Sequence, residues 1–555
     1  MRSKPVLSLA LSACFAAAAA FPGPPISVRL DGAIFTGTSN GPVNKFLGIP
    51  YAQAPVGDLR FRPPMAIPAY TGIHDASRFG PACPQQEREV PDIPKAAQEV
   101  KDYLNFTLWQ HTQPSSEDCL TINVITPKSI VPGLRKLPVV VWFHGGGFEM
   151  SSASTYDGTP IVRRSIDLNE PVVYVSMNYR LSALGFLGGD VVRAAGLGNL
   201  GLHDQRLALR WVQKYISSFG GDPDRVTIWG QSAGAMSVAM QMITNDGDTE
   251  GLFHAAFMQS GSPIPFGWID GKHGQRYWDA MMVDTGCGGQ EDEIECLRQM
   301  PFDELMTAIN KSPDIFDWES IIEAWIPRAD GVFLKDTPQR LVGAGSVADV
   351  PFIIGNVDDE GTLFTFANLN ITTQELLGQY AHSNFFPDIT DEELQTLLGT
   401  HAEDPAAGSP FGTGLENALT PEFKRESAAK GDMVFQAPRR YFLNQVADKR
   451  TCWMYLNKRN KLIPYLGSYQ GSDLPQFYTS GEMQDYLIFF TNTHDPNRER
   501  APSAWPQYDL ASRSVLTLYD FVPTDGNGKK INITSDTFRA DTFEYITMLA
   551  MKYPL

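Results

Sequence analysis

The chain has 555 residues, of which 43% are hydrophobic and 19% charged, and a net charge of −18; this composition supplies a large core and excludes a disordered polymer. Lysine and arginine form no run, so the acidic balance excludes nucleic acid and anionic membrane surfaces as binding partners. No break in composition divides the sequence, and residues 21–555 are read as one domain.

The first 20 residues read as a removable leader. Arg2 and Lys4 precede an apolar run from Val6 to Ala20 that closes on Ala18-Ala19-Ala20, which is the charge, hydrophobicity and small-residue order of a secretory signal peptide. A buried N-terminal helix is the alternative. No later stretch is long and apolar enough to span a bilayer. Asn105, Asn310, Asn370 and Asn532 head Asn-x-Ser/Thr sequons and are glycosylation candidates, with Pro313 making the second the weakest of the four. Cleavage of the leader leaves Cys83, Cys119, Cys287, Cys296 and Cys452. Five cysteines cannot all pair, and Cys452, in the strand-like run to Leu456, reads as a buried thiol. No Cys/His spacing suits a metal, and no cofactor motif is present.

Between residues 92 and 108, Ile93, Ala96, Ala97, Val100, Leu104 and Leu108 fall on one helical face, with Asp92 as N-cap and Pro94 in the first turn. Leu137 to Phe143 and Pro171 to Met177 are short, almost continuous apolar runs and read as strands covered on both faces of a largely parallel sheet. Leu202 to Phe219 carries apolar residues at helical spacing and ends at Gly220-Gly221-Asp222-Pro223. Val226 to Trp229 then reads as a strand that runs into Gly230-Gln231-Ser232-Ala233-Gly234, and Ala235 to Met242 is apolar and helix-compatible.

Strand, tight turn and helix in that order are the context in which Gly-x-Ser-x-Gly forms a nucleophile elbow. Ser232 is therefore the candidate nucleophile, and the Ala233 N–H at the following helix N-terminus a candidate oxyanion donor. Directly after the Leu137–Phe143 strand come His144-Gly145-Gly146-Gly147-Phe148, a glycine loop of the kind that supplies further oxyanion donors. Gly146 and Gly147 are those candidates, and His144 reads as structural. The alternative, a plain flexible turn, does not explain why three glycines follow a buried strand upstream of an elbow.

Several further segments, Gly48-Ile49-Pro50-Tyr51-Ala52, Glu117-Asp118-Cys119-Leu120, Asn178-Tyr179-Arg180 and Gly198-Asn199-Leu200-Gly201-Leu202-His203-Asp204-Gln205-Arg206, complete a pattern. With the elbow, they resemble the type-B carboxylesterase/lipase family, which includes cholinesterases and secreted fungal lipases, over nearly all of the mature chain. The resemblance implies an α/β-hydrolase fold, a large and mostly parallel sheet flanked by helices. It also implies Cys83–Cys119 and Cys287–Cys296 disulfides, a structural Arg60–Glu117 ion pair, and an extracellular protein that acts on a small-molecule or lipid ester. Gln231 stands where the family usually has glutamate. The resemblance further places a lid on the amphipathic 92–108 stretch, implying transient contact with a lipid interface; a helix that simply packs its stripe on the body is the alternative. Trp109 stands where the cholinesterases have their cation-binding tryptophan, but a core or lid aromatic is the commoner reading of such a side chain. Oligomeric state and acyl preference are not readable.

Glu360, in Asn356-Val357-Asp358-Asp359-Glu360-Gly361, matches the family's triad carboxylate, with Asp358 and Asp359 as alternatives. In Gly467-Ser468-Tyr469-Gln470-Gly471-Ser472-Asp473, the register matches the stretch that carries the family's triad histidine, but Gln470 occupies the histidine position. An amide hydrogen-bonds but does not accept and return a proton near neutral pH. His494 is the nearest histidine and reads as part of a surface turn; His203 and His254 read as structural. Two function classes follow: a serine ester hydrolase impaired at its base, and a catalytically silent homologue that uses its pocket for binding.

Overall fold

Alternation along the strands explains how the sheet acquires two covered faces. In β6 (Leu137–Phe143) all seven residues are buried. Val139, Val141 and Phe143 join one hydrophobic cluster and Val140 and Trp142 the other, as the two-residue period of a strand requires. The same division holds for Ile228 against Trp229 and for Ile354 against Ile353.

The computed structural model describes residues 26–88, 114–130, 136–479, 481–520 and 530–555. The leader and the amphipathic 92–108 segment, with Asn105 and Trp109, lie outside the described residues. Thirteen strands among the described residues form one sheet. Its antiparallel margin is β1 (Ile26–Leu30), β2 (Gly32–Asn40), β3 (Val43–Pro50) and β5 (Thr121–Pro127), with the short β4 (Thr71–Asp75) parallel to β2. The parallel centre then runs β7 (Val173–Met177), β6, β8 (Gly221–Gln231), β9 (Ala255–Gln259), β10 (Phe352–Val357), β11 (Cys452–Lys458) and β12 (Ser514–Tyr519). An antiparallel strand, β13 (Ile531–Ser535), closes that side. Helices α2 (Leu200–Tyr215) and α3 (Ala233–Ile243) pack Leu209, Val212 and Val238 on one face; α1 (Thr159–Asp167) and α4 (Glu482–Thr493) pack Ile161, Leu487 and Phe490 on the other. This is the α/β-hydrolase fold.

Boundaries differ from the sequence expectations where pairing extends an element. β8 begins at Gly221 because Gly221 pairs with Leu137 across a register shift. The helix expected to reach Phe219 ends at Tyr215 and tightens into a 3₁₀ turn, Ile216–Phe219, closed by Gly220 at φ 82°. Both disulfides are formed, Cys83–Cys119 and Cys287–Cys296, and Cys452 is a buried thiol. Arg60 meets Glu117 through two hydrogen bonds of 2.6 and 2.8 Å, and its remaining nitrogen reaches the Met300 carbonyl at 2.7 Å. The pair thereby ties the edge of the Cys83–Cys119 loop to the segment after the second disulfide. Among the described residues no helix is long and apolar enough to cross a membrane.

Candidate active site

The carboxyl ends of four parallel strands, β6, β8, β10 and β11, deliver the candidate residues to one edge of the sheet, as open α/β sheets generally place their sites. Ser232 follows β8 with φ 56° and ψ −128°, a conformation a non-glycine residue holds only when its surroundings enforce it. The enforcement is visible. Its N–H donates to the Gln259 carbonyl at 2.9 Å, and its carbonyl accepts from Met236 N–H at 2.9 Å. A Cβ on Gly234 would lie 2.8 Å from the His144 carbonyl oxygen and overlap that of Phe143, and one on Gly230 would lie 2.8 Å from Ala235 N. The glycines of the motif are thus needed for the helix to start against β6, and the strain at Ser232 presents its side chain to a cavity.

The glycine loop after β6 passes directly against this turn: a Cβ on Gly145 would lie 2.6 Å from the Gln231 carbonyl and 3.1 Å from Ser232 Cβ. Gly146 and Gly147 take φ 107° and 63°, and the Gly146 carbonyl is held away by Glu149 and Met150 N–H groups at 3.0 and 2.9 Å. Gly146, Gly147, Ser232 and Gln470 line one cavity of about 140 Å³. Ala233 joins Gly147 and Ser232 around a smaller, apolar one of about 30 Å³. His144 is turned elsewhere. Its Nδ1 is 2.9 Å from the Gly145 carbonyl oxygen, its ring stacks on Tyr179 at 4.4 Å, and burial pushes it down to about 4.

Glu360 follows β10 and is 1% exposed. One oxygen accepts from Asn356 Nδ2 at 2.8 Å and from Val357 N–H at 2.9 Å, while Oε2 accepts no hydrogen bond among the described residues. Burial pushes the carboxyl up to about 8, against the lowering influence of the Asn356 side chain, the Ser260 side chain and the Val357 N–H. Gln470 is 6% exposed; its Nε2 donates to the Ser260 carbonyl at 3.4 Å and its Oε1 is also without a donor. Imidazole at this position would offer an N–H to the Glu360 carboxyl; with glutamine there, Glu360 Oε2 and Gln470 Oε1 are both without a partner among the described residues.

Asp358 and Asp359, the alternatives to Glu360, have another task. Lys461 bridges both, at 2.6 and 2.5 Å. Asp359 also accepts from Ser468 N–H at 2.7 Å, donates its own N–H to the Ser468 carbonyl at 2.9 Å, and pairs with Tyr469 as a short parallel bridge. Thr362 adds a 2.7 Å bond to the Leu466 carbonyl. These contacts stitch the loop carrying Glu360 to the loop carrying Gln470. Lys461 had no motif to announce it, since it stands 102 residues from Asp359 in the chain.

His494 does not approach this site. It ends α4 in a left-handed turn, φ 58°, beside His254 and Arg225, and Arg225 donates to the Asn492 carbonyl at 2.5 Å. Arg225 lies seven residues before Ser232 along β8, about 20 Å at strand rise. His203 is in α2, its ring edge-on to Phe333, and His254 immediately precedes β9, its N–H donating to the Val226 carbonyl. Among the sequons, Asn370 is exposed and Asn310 and Asn532 are half-buried; Asn310 Oδ1 accepts from Glu87 N–H at 3.0 Å.

Comparison with known proteins extends these local agreements to the whole chain. Lipase 4 of Diutina rugosa is 40% identical over 525 residues, covering 92% of this chain and 94% of that protein. A secreted triacylglycerol lipase of Gibberella zeae is 36% identical over 537 residues, covering 94% and 90%. The crystal structure of Aspergillus niger EstA superposes with a TM-score of 0.80 at 27% identity, covering 96% of this chain and 99% of that one. The sequence profile of the carboxylesterase family matches residues 27–530, and with the elbow, glycine loop and sheet described above, this chain belongs to that family.

Proposed function

We propose that the protein is a secreted carboxylic ester hydrolase that works through an acyl-enzyme on Ser232, and that its turnover is slowed by Gln470. The observation that carries the reading is the strained serine at the strand–helix turn, facing a cavity shared with the glycine loop. Ser232 Oγ attacks the acyl carbonyl, and the N–H groups of Gly146, Gly147 and Ala233 receive the developing oxyanion. The alcohol departs, and water then releases the acid. Each half needs a proton taken from the nucleophile and returned to the leaving group. Gln470 does neither at neutral pH, and Glu360, whose family role is to orient and stabilise an imidazolium, has none to serve. The Cys83–Cys119 loop as a lid, glycosylation of Asn105, Asn310, Asn370 and Asn532, and the single 21–555 domain belong to the same proposal. Its extracellular setting is supported by relatives that are themselves named as secreted lipases and by the two disulfides.

Gln470 also favours a second reading, in which the pocket binds an ester or a fatty acyl group without turnover. Reaction of the purified protein with a fluorophosphonate, followed by peptide mapping, separates them. An adduct on Ser232 that is absent in Ser232→Ala is expected for the hydrolase; no adduct at Ser232 leaves the binding reading.

A further inference from the structure

The apolar cavity beside Ser232 contains a carboxyl group that ester chemistry does not use. It is walled by Ile264, Phe266, Ile322, Phe364 and Phe435, and among the described residues Glu323 is the only ionisable side chain on its lining. Leu555 lies at the same wall, and its carbonyl oxygen accepts from the Gly267 N–H. Glu323 is 4% exposed, and among the described residues it makes no hydrogen bond. Its Oε1 rests on the oxyanion loop, because a Cβ on Gly147 would overlap that atom.

A bare carboxylate in such a wall is costly. Glu149, 1% exposed, and Asp314 add repulsion, while Arg88 bears on Glu149. Burial first, then Glu149 and Asp314, push the Glu323 carboxyl well above the usual carboxylate range, which favours its neutral form. A neutral acid in an apolar site is a hydrogen-bond donor and acceptor at once.

The geometry points to Glu323 as a specificity residue: the cavity takes a short acyl group bearing a hydroxyl close to its carbonyl, which exchanges a pair of hydrogen bonds with the Glu323 carboxyl. This rests on the proposal that the acyl group of an ester occupies the cavity beside Ser232. The position along the acyl chain follows from Gly147. Its N–H is the candidate donor to the carbonyl oxygen, so a side chain resting on Gly147 meets the first carbons beyond the carbonyl. A plain alkyl chain would leave the carboxyl buried without a partner, and a site built to hydrogen-bond a hydroxyl discriminates against the analogue that lacks it.

Amides bind without being turned over, so the test does not depend on the missing histidine. Affinities of 3-hydroxybutyramide and butyramide are measured by calorimetry for the full-length protein, Glu323→Gln and Glu323→Leu. The hydroxyamide is expected to bind about tenfold more tightly to the wild type and to Glu323→Gln, and the order to reverse in Glu323→Leu. Equal affinities in the wild type, no binding of either amide, or an unchanged preference in Glu323→Leu overturns the assignment. Should Glu323→Leu fail to fold, Glu323→Asp withdraws the carboxyl by one methylene and is expected to lose the preference; retention there overturns it equally. Ser232→Ala should keep the preference, so absence of Ser232 labelling sinks the hydrolase reading while loss of the amide preference sinks only the role of Glu323.

Discussion

Replacing Gln470 by histidine puts an imidazole at a position that is 6% exposed, on the wall of the cavity that Ser232 also lines. The glutamine surrenders little: one bond to the Ser260 carbonyl at 3.4 Å, long for its type and worth about 1 kcal/mol or less. The imidazole is expected to supply an N–H for Glu360 Oε2, which has no donor among the described residues, and a nitrogen able to take the Ser232 proton. In a serine hydrolase that carries the same triad on an unrelated fold, loss of the histidine costs on the order of 10⁶ in kcat, or about 8 kcal/mol of transition-state stabilisation. Gln470→His should therefore raise hydrolysis of p-nitrophenyl butyrate by several orders of magnitude. The gain should vanish in the double variant with Ser232→Ala. Its rate should rise with pH through the imidazole range near 6.5, a limb that the wild type lacks. Wild-type turnover equal to that of Gln470→His, with no change in the pH profile, would refute the reasoning and require a base other than residue 470.

Glu360 makes the protein's stability depend on pH in a calculable direction. Its folded value, about 8, lies above the ordinary 4.5, so its contribution is fully present below 4.5 and is lost as pH rises through about 8; the interval corresponds to at most about 5 kcal/mol. Urea unfolding between pH 5 and pH 9 should show the wild type losing stability relative to Glu360→Gln, and parallel curves would contradict the burial argument. Gly234→Ala should cost about 2–3 kcal/mol and abolish fluorophosphonate labelling, because the added methyl meets the Phe143 carbonyl at the elbow; thermal melts and mass spectrometry read both effects, and an unperturbed melt would argue against the tight turn. Removing Cys83 and Cys119 together should destabilise more than removing Cys287 and Cys296, about 4 against about 3 kcal/mol from loop closure, since the pairs are separated by 36 and 9 residues. Denaturation of the two double serine variants checks the order.

Much of the site was legible because its pieces are local. The apolar run of β6, the glycines after it, and the strand–serine–helix order around Ser232 are each contained in fewer than a dozen residues, where pattern and steric need coincide. Gln470 was legible in the same way, as a departure inside an otherwise matching stretch. Burial, and contacts between segments far apart in the chain, decided the rest. Asp359 turned out to be a clasp because Lys461 and Ser468, each more than a hundred residues away, fold onto it. His494, near Gln470 in sequence, is carried to the far end of β8 by α4. Glu323 had no motif at all, and only the folded chain sets it against Gly147 in an apolar wall. Sequence thus determined which covalent chemistry is available and at which turn it is presented; the tertiary structure decided which charges are desolvated and paired, because dielectric surroundings and long-range proximity are properties of the packed chain and not of any segment within it.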